Sequence, residues 1–267
     1  NTIVIYLFSQ KAKKQVTVLL SGEGADEALA GYSRFVRAKE NKIFTKSFFG
    51  GLKRNITHVF DYLSYALDQE KKMIMETAFG SITTAKALRP NFQLTKAIAD
   101  RSKTLKKLNG SVNVRQRKYE LLTYLPDLLM RQDKMSMAHS IENRVPFLDN
   151  EMVTTALNIS EEALIANHNH KLESKKILKD IAADKFGEPF AYRDKMGFGI
   201  PLRSFMASKI FQEKWHKTIQ PNIVKRGLFE VSEVSKWVNN IAIATPEQLD
   251  AIWLMFGFEI WAKQYIE

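Results

Sequence analysis

Apolar positions change their spacing several times along this chain, and each change marks an element. Ile3 to Phe8 is an unbroken apolar run followed by Lys11, Lys13 and Lys14, a basic end that suits a helix C-terminus and predicts a buried helix. Val16, Thr17, Val18, Leu19 and Leu20 form a short β-branched run of the kind found in buried parallel strands. A polar stretch with two glycines follows at once, from Ser21 to Glu27. From Phe35 to about Asn109 the spacing is helical and no motif interrupts it. Leu121 to Leu125 ends at Pro126, whose fixed φ suits the first turn of a helix running from Asp127 to about Ser140. Ile141 to Asp149 contains Pro146 and reads as an extended turn. Lys171 to Phe186 places Leu172, Ile177, Leu178 and Ile181 on one side and lysines on the other, an amphipathic helix stopped by Gly187 and Pro189. Leu249 to Ile266, with Trp253, Phe256 and Trp261, predicts an apolar helix docked on the body. There is no internal repeat and no low-complexity segment.

Composition narrows the class. At 267 residues, 45% hydrophobic and 26% charged, the chain matches an ordinary folded protein with one or two cores. No apolar stretch reaches the roughly 18 to 20 residues a membrane span needs. With no cysteine, disulfides, thiolate zinc sites and a cysteine nucleophile are excluded, and a cytoplasmic home fits. The chain starts inside an apolar run without an initiator Met, as a sequence does that begins within a domain. The net charge of +11 is compatible with a polyanionic partner, and equally with a chain whose acidic complement lies elsewhere. Between Arg101 and Lys118 seven basic residues occur with no acid among them. Such a run reads as a solvated face, and nucleic acid is not expected because no aromatic stacking platform accompanies it.

Three segments could carry chemistry. In the first, Gly22 and Gly24 let backbone N–H groups approach a phosphate beside Ser21, while Glu23, Asp26 and Glu27 offer carboxylates for magnesium or proton transfer. A polar turn leading into a helix capped by Asp26 explains the same residues. In the second, Arg131 to Asp149, alternating charge and methionine describes a packed helix with ion pairs, and His139 a hydrogen-bonded structural histidine. In the third, Gly197 and Gly199 bracket Phe198 just after Lys195, a loop able to fold a cation over a phosphate and equally an ordinary surface turn. His168, Asn169 and His170 lack companions at metal spacing and read as a solvated loop.

Taken together and in order, SGEGADE with AGY after it, YLPDLLMRQDKMSMAHSIENRVPFLD, and RDKMGFGIPL resemble the asparagine synthetase family over nearly the whole chain. The resemblance implies an α/β core of the ATP-pyrophosphatase (adenine nucleotide hydrolase-like) type, partly present, with a mostly helical C-terminal remainder. It implies ATP-dependent activation of aspartate as an acyl-adenylate, with Mg2+, followed by attack of ammonia derived from glutamine. Carried across by motif, Ser21, Gly22 and Gly24 belong to the nucleotide loop, Glu23 assists ammonia's attack, Asp26 binds magnesium together with the aspartate of the family's SGGxDS loop, and Lys195 holds pyrophosphate. Glu142 falls where related β-lactam synthetases place the acid of a proton-transfer pair; those relatives carry tyrosine at the position of Glu23. The family's N-terminal glutaminase domain has no counterpart here, and its SGGxDS pyrophosphate loop occurs nowhere in these residues. Residues 1–267 therefore read as the C-terminal part of the synthetase domain, inactive by itself. Two rivals stand beside this reading: another amide-forming relative with a lactam, sugar or peptide acceptor, and a non-catalytic basic binding module. The sequence leaves the oligomeric state open, a homo-oligomer included.

Overall fold

The computed structural model describes residues 2–47, 87–89, 94–194 and 200–267. These fall into two units, Asn1–Thr77 with Ile98–Phe198, and Ala78–Ala97 with Gly199–Glu267.

The first unit opens with α1 (Thr2–Ala12), β1 (Val18–Leu20), α2 (Ala25–Ala28) and α3 (Ser33–Ser47). After α4 (Leu94–Leu105) come α5 (Val112–Thr123) and α6 (Leu125–Met137). Ser111 caps α5 through the backbone N–H of Val114, and Pro126 lies in the first turn of α6, where its missing N–H costs nothing. Then follow β2 (Glu142–Arg144), a 3₁₀ turn (Pro146–Leu148), α7 (Asn150–Asn158) and α8 (Glu161–Leu164). β3 (Ile165–His168) and β4 (Lys171–Ser174) form an antiparallel hairpin, and α9 (Lys176–Phe186) and α10 (Glu188–Ala191) complete the unit.

β1 pairs in parallel with β2, Val18 opposite Glu142 and Leu20 opposite Arg144. The expected strand is thus present and parallel, but it is not buried: Val18 is exposed and Leu20 is 72% exposed. Two short strands give neither face enough neighbours to cover it among the described residues. Likewise α1 forms where expected, yet Ile3, Leu7 and Phe8 are exposed and Ser9 is its buried residue. The apolar run specifies a helix; nothing in its spacing specifies what covers it.

Two further expectations change. Residues 141–149 hold a strand and a 3₁₀ turn, not a plain extended turn. The amphipathic helix begins at Lys176, because residues 171–174 are drawn into the hairpin. Asn169 and His170 both have positive φ, 49° and 66°, as a two-residue hairpin turn requires, so the exposed loop predicted there is this turn. Gly187, at φ 85°, ends α9 as expected.

The core of this unit gathers Ala28, Leu29, Ala30, Phe35, Ala156, Leu164 and Ile165. The second unit holds α11 (Leu202–Met206), α12 (Lys209–Lys214), a π-helical turn (Trp215–Ile219), α13 (Gln220–Arg226), α14 (Val231–Asn239) and α15 (Pro246–Tyr265). Its core is aromatic, built on Phe211, Trp215 and Trp237 with Trp253 and Phe256 packed against them. Thr245 and Gln248 form a reciprocal capping box that starts α15, and Arg226 ties α13 to the buried Glu259 of α15. Among the described residues no helix is long and apolar enough to cross a membrane.

Candidate active site

The loop from Ser21 to Asp26 leaves the carboxyl end of β1, where a parallel strand delivers the chain outward. Ser21 N–H donates to Arg144 O at 2.9 Å, extending the ladder one step, and its Oγ is buried with no hydrogen-bond partner among the described residues. A Cβ on Gly22 would meet open space. Gly24 has φ 88°, and a Cβ there would lie 2.2 Å from Leu148 Cδ2, so glycine is needed both for the turn and for the approach of the 3₁₀ segment. Gly24 is also the N-cap of α2, and it caps without a side chain, so Asp26 is not the cap but a first-turn residue.

Gly31 fixes Asp26 from the other side. Its N–H donates to Asp26 O at 2.7 Å, and a Cβ on it would fall 2.0 Å from Asp26 Oδ1. Lys175 reaches the same oxygen, Nζ to Oδ1, at 2.9 Å.

Beneath the loop the packing is charged. Glu27 is buried and accepts a short hydrogen bond from Tyr32 Oη; burial pushes its carboxyl above the usual range, with Asp26 and Glu120 adding to the rise against the Tyr32 bond. Glu120, fully buried on α5, takes a bidentate pair from Arg34 at 2.7 and 2.6 Å, and the Arg34 guanidinium lies 3.9 Å from the Tyr32 ring centroid. Burial raises Glu120, and the Arg34 hydrogen bonds oppose it. Arg117 is 0% exposed and donates to carbonyls at the ends of two helices, Ala28 O at 3.0 Å and Ala156 O at 2.6 Å, then Ile159 O at 3.2 Å. Burial draws its pKa down to about 10. The basic run from Arg101 to Lys118 is therefore not wholly a solvated face: helix-end carbonyls, which carry partial negative charge, take Arg117 inward.

The other predicted residues divide. Ser21, Gly22, Glu23, Gly24 and Asp26 are contiguous in one loop. Glu142 sits on β2 level with Val18, exposed, its carboxylate held below the usual range by Arg144 at 2.7 Å. Lys195 lies outside the described residues, as do its two glycines. Arg131 makes the expected helical ion pair with Asp127, and Asp149 caps α7 through the N–H of Glu151. His139 packs its ring on Tyr6 at 4.3 Å, but its Nε2 is buried without a hydrogen-bond partner among the described residues, so packing holds it in place of the expected hydrogen bond.

Sequence reasoning missed Lys175, Tyr32, Arg34 and Glu120. Tyr32 was visible in the AGY that follows the acidic loop; Lys175 was read as one lysine of a helix face.

Gly31, Tyr32 and Lys175 also line an open cavity of about 730 Å3 whose charged lining sets Arg37, Lys171, Lys179 and Arg193 beside Glu173 and Asp194. Among the described residues no cluster of three or more His, Cys, Asp or Glu side chains could cage a metal. A partly exposed Asp26 that already holds a cation fits magnesium as that ion is usually held, by one or two carboxylates with phosphate oxygens supplying the remainder. The orphan Ser21 hydroxyl at the start of the same loop fits a phosphate oxygen.

Comparison with known proteins gives a concordant result. The family model described as asparagine synthase matches residues 1–263. Asparagine synthetase [glutamine-hydrolyzing] 1 of Bacillus subtilis is 26% identical over 279 residues, covering 99% of this chain and 43% of its own length. A putative asparagine synthetase [glutamine-hydrolyzing] of Mycobacterium bovis is 23% identical over 99% of this chain and 42% of its own length. The chain thus spans under half the length of these relatives.

Proposed function

Because the chain belongs to the asparagine synthase family, we propose that it forms part of the synthetase site of an asparagine synthetase, converting aspartate to asparagine through a β-aspartyl-adenylate with ammonia supplied from glutamine. The observation that carries this reading is the placement of Glu23 and Asp26 directly after the carboxyl end of a parallel strand, above a floor of buried charge. An ATP-pyrophosphatase-type sheet, of which β1 and β2 would be two strands, is part of the same proposal.

In this reading Ser21 Oγ and the backbone around Gly22 and Gly24 bind nucleotide phosphate. Asp26 holds Mg2+, which when bound neutralises the charge on the phosphates. The aspartate side-chain carboxylate attacks the α-phosphorus and pyrophosphate leaves. Glu23 then takes a proton from ammonia as its nitrogen attacks the acyl carbon, and AMP departs. Lys195, by its place in the motif, stabilises charge that grows on the phosphates as the adenylate forms; a compact ammonium suits that task better than a guanidinium fork.

The test compares two proteins supplied with ATP, Mg2+, aspartate and ammonium: the 267-residue chain alone, and the chain joined behind a segment carrying an SGGxDS loop. The chain alone should form no asparagine, and the joined protein should form asparagine with one AMP per turnover. Asparagine formation by the chain alone would show that the nucleotide site is misplaced here, and none by a folded joined protein would refute the assignment.

A further inference from the structure

Lys175 occupies a position that its own helix disfavours twice. It is the N-cap residue of α9 yet makes no side-chain cap, and it brings a positive charge to the helix end that repels one. Its backbone is also left-handed, φ 51° and ψ 36°, a region that residues with a Cβ seldom enter. Neither feature has a local reward. The side chain runs to Asp26, its Nζ 2.9 Å from Oδ1, with only 21% of the lysine side chain and 24% of the aspartate exposed.

That oxygen is already constrained. Gly31 leaves it 2.0 Å from where a Cβ would stand, so the carboxylate cannot retreat on that side without moving the chain. Lys175 also lines the cavity, with Arg37, Arg193 and the Lys179–Glu173 ion pair, so one side chain belongs to both places. A divalent cation bound at Asp26 Oδ1 would stand next to the ammonium, and like charges that close repel, so each weakens the other's hold on the carboxylate.

We propose that Lys175 is the resident counter-ion of Asp26 and competes with the divalent metal for the same carboxylate oxygen, so that metal binding favours its release toward the cavity. This rests on the reading of Asp26 as a metal ligand. The ammonium keeps a partly buried carboxylate neutralised until metal arrives, and an anion beside it, such as a phosphate carried with the metal, makes the release easier by giving the freed ammonium a partner.

The test is Mn2+ binding by the joined protein that carries the SGGxDS segment, read as loss of free-ion electron paramagnetic resonance signal beyond that of a protein-free control, with and without inorganic pyrophosphate in both. Removing the competitor in Lys175→Met should tighten Mn2+ binding roughly 3- to 10-fold, the range expected when a partly exposed ion pair is lost. Pyrophosphate should narrow the gap between native and variant. Lys175→Gly, which accepts the left-handed backbone without strain, should tighten binding similarly and guards against misfolding of the methionine variant. Asp26→Asn should weaken binding in every background. If both Lys175 variants bind Mn2+ no more tightly than the native chain while Asp26→Asn weakens binding, the competition is wrong and the metal reading stands. If Asp26→Asn leaves binding unchanged, or no protein binds Mn2+ even with pyrophosphate, the metal reading fails and the proposal with it.

Discussion

In each unit one arginine gathers backbone carbonyls. Arg117 does so in the first unit, joining the end of α2 to the end of α7. In the second, Arg203 on α11 donates to Ile241 O, to Ala242 O at 2.7 Å and to Ala244 O at 2.6 Å, closing the turn between α14 and α15. The surroundings differ. Arg203 works at the edge of a core of tryptophan and phenylalanine, where burial of apolar area supplies the stability. Arg117 works among alanines, with Glu27 and Glu120 buried nearby, and the helix it holds begins two residues after Glu23. Buried charge is weak stabilisation, because desolvation offsets much of the attraction. Its presence under the loop marks a place where geometry is held at the expense of stability, whereas the second unit only has to hold itself together.

The contrast can be broken at its apolar end first. Trp215 is 0% exposed at the centre of the second unit, and Trp215→Ala should cost about 3–5 kcal/mol, read as a lower urea midpoint by circular dichroism. A loss under about 1 kcal/mol would mean that the aromatic core does not carry that unit.

Next comes the polar end. Arg117→Leu leaves several buried carbonyls without a donor and should cost about 2–4 kcal/mol, with Arg117→Lys recovering only part because an ammonium cannot span both helix ends. All four tryptophans lie in the second unit, so their fluorescence reports that unit in particular. A fluorescence midpoint that drops as far as the circular dichroism midpoint would show that Arg117 is not specific to the loop's unit.

The smallest effect is a slope. Glu27 has a carboxyl pKa raised by burial above its ordinary 4.5, so in the window between those values the folded state binds more protons than the unfolded one. Stability therefore falls as pH rises through that window. Glu27→Gln keeps an acceptor for Tyr32 and removes the titration, so its melting temperature relative to the native chain should rise from pH 5 to pH 8. A flat difference would contradict the raised value.

How much of this was legible depends on what kind of signal each element leaves. Pro126 and the run behind it announced α6, and Val16 to Leu20 announced a parallel strand, because fixed φ and β-branching act locally. Burial of that strand and of α1 was misjudged, since an apolar run says what a segment prefers and not what lies against it. β2 was invisible: Glu142, Asn143 and Arg144 have no strand character, and their pairing comes from β1. The acidic loop was legible through Gly22, Gly24, Glu23 and Asp26, whose types tie directly to turn geometry and charge. Its supports were not, because Arg117 and Lys175 sit in lysine- and arginine-rich stretches that look like solvent-facing surface until tertiary contacts turn them inward.

The central claim is that Asp26 serves adenylation and Glu23 the amidation that follows, and the two steps can be read separately. In the joined protein that carries the SGGxDS segment, aspartate-dependent exchange of labelled pyrophosphate into ATP reports the first step, and asparagine formation reports both. Asp26→Asn should lower both rates by on the order of 10²- to 10³-fold. Glu23→Gln should keep exchange near the native rate while asparagine formation falls by about 10²-fold or more. Native exchange in Asp26→Asn, or equal loss of both rates in Glu23→Gln, would contradict the account.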